Sequence, residues 1–146
     1  METIYDILKA EHRQVADLTQ QAMRDSSKES FLKIKAKLDP HMMGEEKLFY
    51  PLLEQKSELC ELVNHAYEEH NEIRSVSSEL ESMDPSSSNW VSKLKELDET
   101  VSHHVEEEEN KVFPEAQRVM SEDKAQQIAR QYLDFSKTFK QQHPMP

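Results

Sequence analysis

Glycine is almost missing from this chain: its 146 residues contain one, Gly44. Glycine-rich phosphate loops, dinucleotide fingerprints and nucleophile elbows each need several, so those chemistries are excluded. Tight hairpins want glycine too, and runs of Val, Ile and Thr that are also absent. Cysteine is as scarce. Cys60 alone makes neither an internal disulfide nor a thiolate zinc cluster. No apolar run approaches the roughly 18 residues of a spanning helix. Glu2, Asp6 and Glu11 interrupt the start where a signal peptide needs an apolar stretch. Basic charge is in deficit, with 18 Lys and Arg against 29 Asp and Glu and a formal net charge of −11. That sign repels phosphate backbones and anionic headgroups, so neither nucleic acid nor membrane is an expected partner. A single cytoplasmic domain is the expectation.

What remains is rich in Glu, Lys, Leu, Gln, Ala and Met, which favour helices. Apolar residues recur at three- and four-residue steps. Ile4, Leu8, Val15 and Ala22 predict a first helix from about Thr3 to Arg24. Phe31, Ile34, Leu38, Leu48 and Leu52 predict a second from about Glu29, kinked at Pro40 and kinked or ended at Pro51. Leu59, Val63, Ala66, Ile73 and Leu80 predict a third from about Ser57 to Met83. Asp84-Pro85-Ser86-Ser87-Ser88-Asn89 is the clearest loop. Leu94, Leu97 and Val101 place a fourth helix from about Trp90, interrupted at Pro114. Ser121 before Glu122 and Asp123 reads as the N-cap of a fifth, with Ala125, Ile128, Tyr132, Phe135 and Phe139 on one face. The expected fold is all-α: an up-down-up-down four-helix bundle with an additional C-terminal helix that covers the bundle or a second subunit.

The stripes sort the seven histidines. His12, His41, His70 and His104 each continue the inner stripe of a different helix. His65 and His103 fall on acidic, solvated faces, and His143 lies in the tail. Two carboxylates share the inner stripes, Glu45 four residues after His41 and Glu108 four after His104, a spacing that sets each beside its histidine. The chain also repeats. The segment from His41 to Pro51 aligns with His104 to Pro114, matching the His, the Glu-Glu pair and the Pro, and Glu11-His12 matches Glu69-His70. Each helical hairpin thus offers one lone His and one His-x-x-x-Glu.

One inward histidine is ordinarily a hydrogen-bonded core residue. Two inward carboxylates are costlier, and no Lys or Arg lies on the predicted inner stripes to neutralise them. Four imidazoles and two carboxylates suit iron, manganese, zinc or copper, and are too many for one tetrahedral zinc. Two adjacent metals fit them. Glu11, Glu69 and Glu109 stand where they could orient these ligands. Tyr67, one turn before His70, is read as packing, with a donor role or an extra metal ligand as the alternatives.

These motifs, in this order and spacing over about residues 1–118, resemble the hemerythrin-like (HHE cation-binding) family. The resemblance implies a four-helix bundle holding two non-haem irons with an oxo or hydroxo bridge, Mn or Zn being admissible. His12 and His41 would hold one iron, His70 and His104 the other, and Glu45 and Glu108 would bridge. Residues 119–142 would form the added helix, packed on the bundle or on a homodimer partner, and 143–146 a flexible tail. The sequence departs from the oxygen-carrying members. A second histidine one turn from His70 is replaced by Ala66 or Arg74, and an Asp five residues after the fourth-helix His is replaced by Glu108 at four. Fewer protein ligands favour irreversible reaction over reversible carriage. The expected role is binding or sensing of dioxygen or another small diatomic or peroxide ligand. Alternatives are an enzyme acting on peroxide or nitric oxide, iron storage or donation, and a metal-free helical interaction module.

Overall fold

The computed structural model describes residues 2–144; Met1 and the last two residues of the expected tail, Met145 and Pro146, lie outside them. The elements in chain order are α1 (Ile4–Asp25), α2 (Lys28–Gly44), a π-helical turn (Glu45–Phe49), α3 (Tyr50–Glu54), α4 (Cys60–Ser82) led by a 3-10 turn (Ser57–Leu59), α5 (Trp90–Glu107), a second π-helical turn (Glu108–Val112), α6 (Phe113–Val119) and α7 (Glu122–Gln142). No strand forms among the described residues.

Local chemistry sets the ends. Thr3 accepts from the Asp6 amide while the Asp6 carboxylate takes the Thr3 N–H at 3.0 Å, which satisfies two orphan donors of α1. Ser27 and Ser121 cap α2 and α7 through the amides of Ser30 and Lys124, both at 3.1 Å. Lys28 closes the far end of α4, donating to the carbonyls of Leu80, Glu81 and Met83 at 3.1, 2.6 and 2.7 Å.

The bundle core divides into two apolar clusters. One gathers Leu8, Phe49, Ala66, Val112 and Ile128; the other gathers Val15, Leu38, Ile73, Trp90 and Val101. α1 runs from the first cluster to the second, α2 back, α4 out again and α5 back, which is the up-down-up-down order. α7 packs on α1 and α2 of its own chain, burying Ala125, Ile128, Ala129, Tyr132 and Ser136.

The two π turns correct the expected seam. Pro51 has no amide, and in an α-helix its ring would clash with the carbonyl of residue 47. The backbone widens just before it: the Tyr50 N–H bonds Glu45, five residues back. The Phe113 N–H does the same to Glu108, ahead of Pro114. One extra residue per turn rotates everything beyond by about 100°. Leu48 and Leu52, expected in the core, are therefore only half-buried, and Phe49, Tyr50 and Leu53 are buried instead. The α-helix runs on through Pro40 to Gly44.

Candidate metal centre

All six inward residues are drawn together between the two apolar clusters. His12 sits between Leu8 and Val15, His41 after Leu38, His70 between Ala66 and Ile73, and His104 after Val101. Glu45 and Glu108, the first residues of the π turns, are both 0 % exposed. Glu108 Oε1 lies 3.1 Å from His12 Nε2, and Glu108 Oε2 lies 3.6 Å from His104 Nε2. Glu45 Oε1 lies 3.4 Å from His41 Nε2 and 3.1 Å from His70 Nε2. Each carboxylate thus spans one histidine from each hairpin. Among these six residues, donor atoms close enough for one ion fall into two groups, Glu45-His70-His104-Glu108 and His12-His41-Glu108.

Every imidazole presents Nε2 inward because a carboxylate holds its Nδ1. Glu109 takes His12 at 2.6 Å, Glu11 takes His41 at 2.9 Å, Glu46 takes His70 at 2.7 Å and Glu69 takes His104 at 2.7 Å. A carboxylate on Nδ1 accepts that proton, fixes the ring and leaves the Nε2 lone pair free. The pattern follows the repeat. The Glu before each lone His serves the next helix, and the Glu after each inward Glu serves the opposite hairpin.

Three further groups brace these acids. Arg74 grips Glu46 in a two-pronged bond at 2.9 and 2.8 Å. Tyr132 reaches from α7 to donate to Glu11. Tyr50 donates to Glu108 and sits 3.4 Å from His70 Nε2. Of these residues, sequence reasoning missed Glu46, Tyr50, Tyr132 and the grip of Arg74. The internal repeat contains the signal for Glu46, since it aligns with Glu109. Tyr50 was hidden by the π turn. Tyr67 packs edge-on against Tyr50 with ring centroids 5.3 Å apart, in line with the packing role expected for it.

The electrostatics call for positive charge. Burial and the neighbouring Glu108 push the Glu45 carboxyl well above the usual carboxylate range. Burial opposes the charge on Glu108 as well. The bond with Glu45 and the His104 and His12 imidazoles nevertheless hold it well below. One proton therefore belongs to the pair. His104, despite burial, is pushed up to about 9 by Glu108 and Glu69. Burial lowers His41 and His70. Neither inner carboxylate meets a Lys or Arg among the described residues. Four buried polar atoms at the centre, His12 Nε2, His41 Nε2, Glu45 Oε2 and Glu108 Oε1, make no well-aligned hydrogen bond, although the first and last stand 3.1 Å apart. Native interiors rarely leave such groups unpaired. Lone pairs and half-neutralised acids aimed at one point are what a cationic ligand set requires, so the residues present fit a metal.

A family model described as the hemerythrin HHE cation-binding domain matches residues 3–116. The chain belongs to the hemerythrin HHE cation-binding family. This hemerythrin-family chain is 30% identical over 111 residues to an uncharacterized hemerythrin-like protein of Schizosaccharomyces pombe, a match covering 73% of the chain and 53% of the relative. It spans about half the length of that curated relative. Its fold is similar to the crystal structure of a hemerythrin HHE cation-binding domain-containing protein from Mycobacterium kansasii, with a TM-score of 0.80 at 21% identity, over 100% of this chain and 96% of the other. No helix among the described residues is long and apolar enough to cross a membrane.

Proposed function

We propose that the chain holds two iron ions between His12, His41, His70, His104, Glu45 and Glu108, and binds dioxygen or a related small oxidant or gas beside them. One observation carries this reading: His12, His41 and His104, the first two with an unpaired Nε2, border a small apolar cavity beside the inward carboxylates. Val15, Leu38, Met42, Ile73 and Val101 line it together with His12, His41 and His104. The space is small, about 10 Å³, and its lining is apolar, so it suits a very small, weakly polar molecule over a hydrated ion. A pair of irons supplies reversible one-electron changes and sites for a small ligand.

The protein's own groups do the rest. The two carboxylates supply negative charge for a bound cation and join the hairpins. Glu11, Glu46, Glu69 and Glu109 fix ring orientation, so that the ligand set is preorganised. The apolar clusters exclude bulk water from both ends. Tyr50 holds a proton on its hydroxyl, since burial and then Glu108 push it well above the ordinary tyrosine value, and it directs that proton at Glu108.

The test is metal analysis and absorption spectroscopy on one sample of aerobically purified protein. Two irons per chain and a near-ultraviolet charge-transfer band are expected, and H41A/E45A should lose both while keeping its helical content. Protein that refuses iron under anaerobic loading and melts unchanged would overturn the reading and leave the helical interaction module. Turnover of peroxide or nitric oxide by the loaded protein would assign it to catalysis instead of binding.

A further inference from the structure

We propose that His65, His103 and the outer carboxylate oxygen of Glu69 form a separate surface site for one divalent transition-metal ion. The three residues share one patch on α4 and α5. His65 and Glu69 are one turn apart on α4, and His103 reaches across from α5. His65 Nε2 and His103 Nε2 each lie 3.3 Å from Glu69 Oε2. In a tetrahedral zinc site with arms of about 2.05 Å, neighbouring donor atoms lie about 3.3 Å apart. Both measured separations have that length. One donor atom from each residue lies within 4.8 Å of the other two, and the two rings are 53% and 63% exposed. A small swing brings them onto one ion and leaves a fourth position to water.

Glu69 makes this more than two surface histidines near an acid. Its side chain is 6% exposed. Oε1 is committed to His104 Nδ1 at 2.7 Å, while Oε2 is buried and turned toward the two rings, its 3.3 Å contacts with their Nε2 atoms falling short of aligned hydrogen bonds. A buried carboxylate oxygen held outward by its own inner bond is a preorganised ligand. The neighbourhood favours cations. An open groove beside His65 is lined by Glu58, Glu61, Glu68 and Glu107, with Lys111 the one basic side chain there. Two imidazoles and one carboxylate select zinc, copper or nickel over magnesium and calcium, which prefer oxygen. The same carboxylate orients His104, so the surface ion is one side chain removed from the buried cluster.

The test is a zinc titration of the full-length protein as purified, followed by desalting and elemental analysis of zinc and iron on the same sample. Wild type is expected to retain one zinc equivalent more than H65A/H103A, with equal buried-metal content and equal helical content in the two. H65Q alone and H103Q alone should each lose that equivalent, and excess magnesium should not displace it. Equal zinc retention by wild type and the double variant would overturn the proposal. The readout is a difference between two proteins, so it stands whatever the buried centre holds. A chain without iron would refute the di-iron reading and leave the surface comparison intact.

Discussion

Gly44 carries no side chain because Tyr132 occupies the space. A Cβ there would lie 2.4 and 2.7 Å from the Tyr132 ring, which is buried at 1% exposure and cannot swing away. The single glycine of the chain is thus a packing requirement in a regular helix, and it lets α7 place a hydroxyl on Glu11. Gly44→Ala is expected to destabilise the fold by about 1–3 kcal/mol in urea unfolding, despite alanine's better helix propensity. A gain in stability would show that the close approach is not needed. Glu46 makes a second case. Burial works against its charge, but His70 and Arg74 hold its carboxyl down to about 2 from the usual 4.5. A depressed acid stabilises the fold fully above its unfolded value and loses that contribution as pH falls through the folded one. In metal-free protein, the stability gap between wild type and Glu46→Gln should therefore be open near neutral pH and close between pH 4.5 and about 2. Thermal melts across that window check it, and a constant gap would assign the effect to packing.

Among the elements, the π turns matter most for function. Each begins on an inward glutamate and ends just before a proline-led helix. Glu45 and Glu108 keep the helical phase of His41 and His104 ahead of the extra residue, which then turns Phe49, Tyr50 and Phe113 inward. Periodicity of 3.6 carries no sign of that insertion, so the sequence pattern gave Leu48 and Leu52 the positions that Phe49 and Leu53 hold. The start of α7 was legible, because Ser121 followed by two acids is a short-range signal. Lys28 was not, since its partners are 52 to 55 residues away. It ties the start of α2 to the end of α4 and lies over the Trp90 ring at 5.6 Å. Lys28→Met is expected to cost about 1–2 kcal/mol. Hydrogen exchange should localise the loss to the last turn of α4, with α1 unaffected.

At the scale of the molecule, a charged layer lies between two apolar plugs, in a chain of net charge −11. The arrangement is costly without cations, because two buried acids share one proton. Metal bound only by the folded state should stabilise it by mass action, about 2.7 kcal/mol at a hundredfold excess over Kd. Melting temperature is expected to rise with the logarithm of free metal and to fall on chelation. A melting temperature indifferent to metal would separate the acidic layer from any cation. α7 closes the side of the bundle over α1 and α2 and supplies Tyr132, so it is part of the same sealed unit.

The sequence by itself determined the all-helical class, the hairpin repeat and the six inward residues, because those depend on composition and on spacing along single helices. Only the tertiary structure decided which acid orients which histidine. Those pairs join different helices, and their partners are set by the antiparallel packing. It also decided that the fifth helix seats on its own bundle, and that His65 and His103, surface residues by phase alone, flank a buried carboxylate shared with the centre. Phase assigns a residue to a face; what stands opposite that face depends on the docking of a second helix.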